Sequence, residues 1–241
     1  MKIRTKNEFL KKFNITKLPD LNNLIEIDIP KYNKDVPFVG SEYDLFYNSH
    51  ENYYIDKDGI LSIYTRFEYD IVESYSINDG IFIGSNNGEW LGELIFRDYS
   101  MGLSYVEYKI IENECIHYIF PFGKNVIVLT GLAHIGTDEG FIYILNFNND
   151  KYQILNKIDI NSEPNFYKII NNELFIITNN GLIIFTEGKI ITQLNDQKWN
   201  GLYANSLYID DKYIYIGTRA CMFVVDRNNY NTKVYKINNG A

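Results

Sequence analysis

One feature limits this chain's folding options more than any other: a β-rich pentad ending in a hydroxyl residue recurs at intervals of about 40 residues. Its clear copies are IFIGS (81–85), VIVLT (126–130), LFIIT (174–178) and IYIGT (214–218), and a weaker copy, LFYNS (45–49), precedes them. Successive starts are 36, 45, 48 and 40 residues apart. Repeats of roughly 40–50 residues are the sequence mark of propeller blades, each a supersecondary unit that buries its apolar surface against its neighbours. Five such units fit the chain.

The residues around each pentad supply the rest of a blade. A polar turn precedes it, as at Asn78-Asp79-Gly80, Gly123-Lys124-Asn125, Asn171-Asn172-Glu173 and Asp210-Asp211-Lys212, with another apolar run before that turn. This is hairpin grammar. Third strands follow at 91–97, 141–147, 182–186 and 221–225, and the clearest fourth strands are 189–194 and 232–237. The pentads are continuously apolar, as suits strands packed on both faces, and the 21 tyrosines suit stacked sheets whose rings fill gaps while hydroxyls reach water or backbone. The expected fold class is all-β, a β-propeller of about five blades of four antiparallel strands; a two-sheet sandwich is the alternative and does not demand five similar units. The expected organisation is a single domain over 1–241, with an N-terminal helical segment at 1–20 and the propeller at 24–237. Residues 24–29 (LIEIDI) are expected to add a strand that helps close it.

Near the amino terminus, Thr5 with Glu8 three positions later reads as a capping box, and Phe9, Leu10 and Phe13 give a short helix one apolar stripe. The basic residues there precede no continuous apolar run, so the segment does not read as a secretory signal, and no stretch approaches the roughly 18 apolar residues of a membrane helix. Cys115 and Cys221 lie in apolar stretches without CxxC spacing and read as buried free thiols, which fits a reducing cytoplasm. With 31 acidic against 23 basic side chains the formal charge is −8, which argues against direct nucleic-acid binding and favours a basic partner.

Familiar catalytic signatures are absent from the sequence. His50, His117 and His134 stand in no metal-ligand spacing, and there is no GxSxG elbow, Walker loop or GxGxxG, so no cofactor or metal is expected. Asp56-Lys57-Asp58-Gly59 lacks the carboxylate a calcium loop needs at its twelfth position, where Phe67 stands, and reads as a hairpin turn. His134 and Asp138 lie four residues apart in a segment, 131–140, that reads as a loop.

Propeller topology sends the connections between second and third strands, and those between blades, to one end. That collects 84–90, 131–140, 179–181, Arg219 and the interblade segment 195–201. Both tryptophans, Trp90 and Trp199, fall there with Glu89, His134, Asp138 and Glu139. Tryptophan and arginine are frequent interface anchors, and carboxylates around them suit a basic partner. The expected partner-binding set is Glu89, Trp90, His134, Asp138, Glu139, Trp199 and Arg219. Each tryptophan also has a structural reading, as the cap of a blade edge.

Two stretches, GSNNGEW (84–90) and VLTGLAHIG (128–136), resemble segments of uncharacterised bacterial β-rich proteins, some encoded beside polymorphic toxins. In size, acidity, low cysteine count and Asn- and Ile-rich composition, the chain as a whole resembles immunity proteins of contact-dependent growth inhibition systems. The resemblance implies a cytoplasmic, non-enzymatic protein that binds and blocks one cognate toxin, commonly a nuclease, and is otherwise monomeric, with neither nucleic acid nor membrane as its ligand. Immunity proteins share no common motif, so it assigns no site residue. The alternative is an enzyme or a small-ligand (sugar) binding propeller with its site at the central channel.

Overall fold

The computed structural model describes residues 12–18, 20–22, 24–28, 45–46, 49, 51–55, 57–64, 72–77, 80–100, 104–148, 151–186, 188–195 and 199–237. The chain is all-β, and its fold class is that of a β-propeller: five antiparallel sheets succeed one another along the sequence. The amino-terminal part provides β1 (Lys12–Lys17) and β2 (Leu24–Glu26), followed by β3 (Asn52–Ile55) and β4 (Ile60–Tyr64). The next sheet runs β5 (Val72–Ile77), β6 (Gly80–Ser85), β7 (Glu93–Asp98) and β8 (Val106–Glu112), with a single 3₁₀ turn, Gly88–Trp90, between β6 and β7. The third runs β9 (Ile116–Phe122), β10 (Asn125–His134), β11 (Thr137–Asn148) and β12 (Lys151–Asp159). The fourth runs β13 (Pro164–Ile170), β14 (Glu173–Thr178), β15 (Gly181–Thr186) and β16 (Lys189–Asn195). The last contains β17 (Ser206–Ile209), β18 (Tyr213–Gly217), β19 (Met222–Asp226) and β20 (Thr232–Ile237).

The four clear pentads occupy equivalent second strands, β6, β10, β14 and β18. Burial follows the expectation from their composition: Val128, Leu129, Ile176 and Ile216 are fully enclosed, whereas the fourth strands β8 and β12 are mostly exposed. The hydroxyl that ends each copy has a structural use. Ser85 accepts from the Glu93 amide at 3.0 Å, and Thr178 and Thr218 donate to the carbonyls of Gly181 and Cys221, so each hydroxyl ties down the connection to the third strand. Thr130 differs because its ladder continues to a longer hairpin; its hydroxyl donates to the Glu114 carboxylate at 2.7 Å instead.

Strand number departs from four per sheet at the two ends of the chain. The first sheet has the order β1-β4-β3, three strands, and β2 pairs with β20 to make the last sheet five-stranded. Of the strand expected at 24–29, Leu24–Glu26 is present, with Leu24 opposite Ile237. The expected amino-terminal helix is contradicted over Lys12–Lys17, which is a strand paired with β4. Thr5, Glu8, Phe9 and Leu10 lie outside the described residues. Within KFNITK the apolar residues Phe13 and Ile15 alternate with polar ones, the period of a strand, and this local pattern outweighs the helical spacing of Phe9 and Phe13. The weak pentad at 45–49 also needs correction. Leu45 and Phe46 are α-helical, and the second strand of the first sheet is β4, which follows β3 after the turn at 57–58 and Gly59 at φ +76°.

The described chain divides into two compact units. The first comprises 1–6, 69–165 and 169–193, the second 7–68, 166–168 and 194–241. In the first unit, Phe82, Leu94 and Phe96 pack with Ile116, Val128, Tyr143 and Leu145, and the Tyr152 ring sits 4.7 Å from that of Phe82 and 4.9 Å from that of Phe96. Each fully buried apolar side chain of this size contributes about 1.5–3 kcal/mol. Gly84 makes the sheet contact close: a Cβ there would lie 2.4 Å from Ile116. In the second unit, Tyr53, Leu61, Ile63, Tyr215, Met222 and Val224 form the core, and the first and last sheets join directly. The Tyr53 amide donates to Thr218 O at 2.8 Å, and the Ile55 amide donates to Ser206 Oγ at 2.9 Å.

Candidate functional site at the turn end of the first unit

Three connections of the first unit come together through hydrogen bonds. The β6–β7 connection carries the Gly88–Trp90 turn, which its own backbone holds: Asn87 N donates to Leu91 O, Trp90 N to Asn87 O and Leu91 N to Gly88 O at 2.8 Å. Asn86 Oδ1 accepts from Gly88 N at 3.0 Å, and Cys115 Sγ donates to Gly88 O at 3.1 Å. Gly88 sits at φ +60° with open space around its absent side chain, so conformation and not crowding calls for glycine there. On this fixed turn Trp90 is 80% exposed.

The β10–β11 connection corrects the expected loop at 131–140. The strands run on to His134 and resume at Thr137, joined by Ile135 and Gly136 at φ 42° and 84°, the two left-handed residues of a tight hairpin turn. Gly131 and Gly140, which suggested a loop, face each other across the ladder. A Cβ at Gly140 would meet Ser162 O at 2.1 Å, and one at Gly131 would meet Glu139 O and Pro164 at 2.6 Å, so both glycines permit close backbone approach. Ile135 at the tip is 90% exposed. His134 Nε2 lies 2.9 Å from Glu89 Oε2, joining this hairpin to the Trp90 turn, though both side chains are about half exposed and the pair adds little stability.

His134 and Asp138 do not form a dyad. His134 stands opposite Thr137, and Asp138 turns to other partners. Its Oδ1 accepts from Glu163 N at 2.8 Å, and its Oδ2 accepts from Ser162 Oγ at 3.0 Å and from the Asn180 side-chain amide, with Asn179 Nδ2 at 3.5 Å. Asp138 thus ties the hairpin to the segment before β13 and to the β14–β15 turn; it is structural rather than available to a partner. Glu139, its neighbour, is exposed.

Sequence reasoning missed a second group. His117 on β9 points its Nε2 at Gly131 O, 3.0 Å away, at Glu163 Oε1, 3.3 Å away, and at Asn86 Nδ2, 3.3 Å away. Glu73 on β5 completes it: burial holds the Glu73 carboxyl above its ordinary range, and the nearby His117 only partly offsets that effect. Glu73 and His117 come from strands of successive sheets and Glu163 from the segment just before β13, a grouping that no linear spacing shows.

The remaining expected residues belong to the second unit. Trp199 is 2% exposed and packs edge-on against Phe223 at 5.0 Å, so it is a core residue and its expected interface role is withdrawn. Arg219 reaches Gly201 O with Nη2 at 2.8 Å and stacks over the Tyr203 ring at 4.7 Å, clamping the turn that follows Trp199. Cys115 and Cys221 are buried free thiols, and burial pushes Cys221 up to about 12. No helix among the described residues is long and apolar enough to cross a membrane.

No family model matches the chain, and no curated protein matches it. Solved structures do. It is similar to the computationally designed Ika8 protein (10% identity, TM-score 0.43, covering 78% of this chain and 56% of that one). It is likewise similar to the computationally designed Ika4 protein (12%, TM-score 0.39, covering 70% and 92%). The WD40 domain of Neurospora crassa Pan2 is a third (12%, TM-score 0.41, covering 92% and 58%). The chain thus spans somewhat more than half the length of the Ika8 and Pan2 chains.

Proposed function

We propose that this chain is a binding protein that sterically inhibits one cognate basic toxin, with a nuclease as the toxin's class, in the manner of a bacterial immunity protein. The observation that carries the reading is the pair of rigid apolar tips in the first unit: Trp90, 80% exposed on a turn its own backbone fixes, and Ile135, 90% exposed at the end of a tight hairpin. A large aromatic with few side-chain torsions, carried on a fixed backbone turn, loses little entropy on binding, which suits an anchor. Glu89 and Glu139 flank these tips, and the formal charge of −8 speeds encounter with a basic surface. The same charge disfavours nucleic acid as a direct ligand and leaves the toxin as the target. The mechanism is occlusion: the tips enter the toxin's cleft while rim carboxylates meet the cationic groups that otherwise hold phosphate.

The test is co-purification with, and binding to, the terminal domain of a toxin encoded beside this gene. Trp90→Ala should weaken binding by about 2 kcal/mol or more, roughly thirtyfold, chiefly through faster dissociation. Glu139→Lys should slow association, most visibly at low salt. Full protection of cells by both folded variants rules this surface out. The enzyme or sugar-binding alternative has one observation of its own, the 3.3 Å contact of His117 with Glu163; turnover of a glycoside by the purified chain would favour it.

A further inference from the structure

Four Asn-Gly pairs occur in the sequence, at 87–88, 180–181, 200–201 and 239–240, and the last lies outside the described residues. Asparagine before glycine is open to intramolecular attack, because a following residue without a Cβ leaves its backbone nitrogen unshielded and its torsions free. The fold treats the three described pairs differently. Asn180 is tied down: its side-chain amide reaches Asp138, its backbone amide donates to Ser162 Oγ at 3.0 Å, and Gly181 is buried at the start of β15. Asn200-Gly201 lies in a turn held by Leu202 N donating to Trp199 O at 3.0 Å and Arg219 Nη2 donating to Gly201 O at 2.8 Å, with the Trp199 indole in the core. Asn87 and Gly88 are both exposed, the Asn87 side chain makes no capping hydrogen bond, and open space surrounds Gly88 where a side chain would stand.

We propose that Asn87-Gly88 is a site of spontaneous deamidation, and that its isoaspartyl product dismantles the turn that carries Trp90. Gly88 N attacks Asn87 Cγ; the new C–N bond closes a succinimide, and the side-chain nitrogen leaves as ammonia, taking up the Gly88 N proton by way of water. Water then opens the ring. Addition at Cγ breaks the new bond and gives aspartate, whereas addition at the backbone carbonyl breaks the original peptide bond and gives isoaspartate, whose chain runs through Cβ and Cγ. Nothing is oxidised or reduced, and water is the only co-reactant. Asn87 has ψ 22°, at which Gly88 N points away from the side chain, so ring closure waits on rotation about this bond. That rotation releases Trp90 N from Asn87 O, at 3.3 Å the longest backbone bond of the turn, and frees Gly88 N from Asn86 Oδ1. A single exposed turn opens at the low end of the free-energy range, whereas opening at Asn180 breaks the Asp138 tie and opening at Asn200 disturbs a core tryptophan.

Where the product falls gives it its effect. Isoaspartate adds one atom to the backbone inside the loop that the Asn87 N to Leu91 O bond closes, displaces the carbonyl that holds Trp90 N, and adds a negative charge beside Glu89. Aspartate adds the charge and keeps the backbone. A bound toxin that covers Trp90 keeps the turn closed and slows the reaction, a consequence that alone rests on the proposed function.

The experiment incubates the whole chain at mildly alkaline pH, folded and in urea, in an Asn239→Gln background so that the chain end adds no product. Peptide mapping by mass spectrometry follows each Asn-Gly pair, and the rates in urea normalise those of the folded chain. After normalisation the Asn87 product should form at least about tenfold faster than the Asn180 or Asn200 product. Asn87→Gln, whose longer side chain must close a larger ring, should give none over the same period. Amide hydrogen exchange at Trp90 should be at least about tenfold faster in the fraction deamidated at Asn87 than in Asn87→Asp, which carries the same charge on an intact backbone. Faster conversion at Asn180 or Asn200 than at Asn87, or equal exchange at Trp90 in the two forms, overturns the proposal. Slower conversion at Asn87 in the toxin complex supports both the site and the Trp90 face. Equal conversion in the complex and the free chain upholds the site and counts against that face as the toxin's seat.

Discussion

Trp90 and Trp199 occupy comparable places in the sequence, each in or beside a connection at a blade end, and the structure gives them opposite fates. Trp90 is 80% exposed and Trp199 is 2% exposed. The difference lies in what each connection can do for itself. The Trp90 turn closes its own hydrogen bonds through Asn86, Asn87, Gly88 and Leu91, so it holds its shape without burying the indole. The turn after Trp199 leans on its surroundings: the indole packs on Phe223, and Arg219 clamps Gly201. Asp138 and Glu139 repeat the contrast one residue apart, since side chains alternate along a strand and only Asp138 faces the neighbouring connections.

The largest test of this comparison removes the buried member. Trp199→Ala should cost about 3–5 kcal/mol, because it deletes a large enclosed ring and leaves a cavity against Phe223. Chemical denaturation should show the loss as a lower midpoint with little change in slope. The matching Trp90→Ala variant should lie within about 0.5 kcal/mol of the native chain. If Trp90→Ala is as damaging as Trp199→Ala, the Trp90 turn is a cap and the proposed anchor fails with it.

Asp138→Ala comes next. Its carboxylate serves the Glu163 amide and two side chains from two connections, and leaving buried donors without an acceptor costs about 1–3 kcal/mol. Glu139→Ala, one position on, should leave stability unchanged. A thermal melt separates the two, and similar melting temperatures would place Asp138 among the available carboxylates after all.

The repeat was legible because the pentads are the most deeply buried strands, and burial on both faces writes itself into sequence as continuous Ile, Val, Leu and Phe. Third and fourth strands could then be placed from the turns between them. The first sheet was misread for a definite reason. Its third member, β1, lies upstream of its first two, so among the described residues no four-strand unit exists there in sequence order, and LFYNS fills the expected slot by composition alone. In the site, Glu89, Trp90 and His134 were collected correctly by topology, and the structure joins them through the Glu89–His134 contact. Glu73, His117 and Glu163 were not, since the isolated Glu73 in VESYSI and His117 in IHYIFPF look like ordinary outward positions until three sheets are brought together. The asparagines beside Asp138 carry the one available hint: Asn179-Asn180 directly follows a buried pentad, where polar amides need a partner.

The smallest expected effect concerns Glu73, a carboxylate whose charge burial disfavours, and it contrasts with Asp138, whose charge the fold satisfies. Its folded-state pKa is raised by burial, so the folded chain holds that proton more tightly than the unfolded chain. The group's stabilising contribution is complete below the ordinary glutamate range, about pH 4, and is lost as pH rises through the raised value. Above the raised value the ionised carboxylate is therefore a liability, and Glu73→Gln should there be more stable than the native chain. The advantage should shrink as the pH falls and Glu73 takes up its proton. Asp138 runs the other way: substitution there destabilises at pH 7 because its charged form is the one the fold satisfies. Denaturation midpoints of Glu73→Gln and the native chain at pH 7 and pH 4 measure the difference. A variant less stable at pH 7 than the native chain would mean that the fold itself satisfies the Glu73 charge.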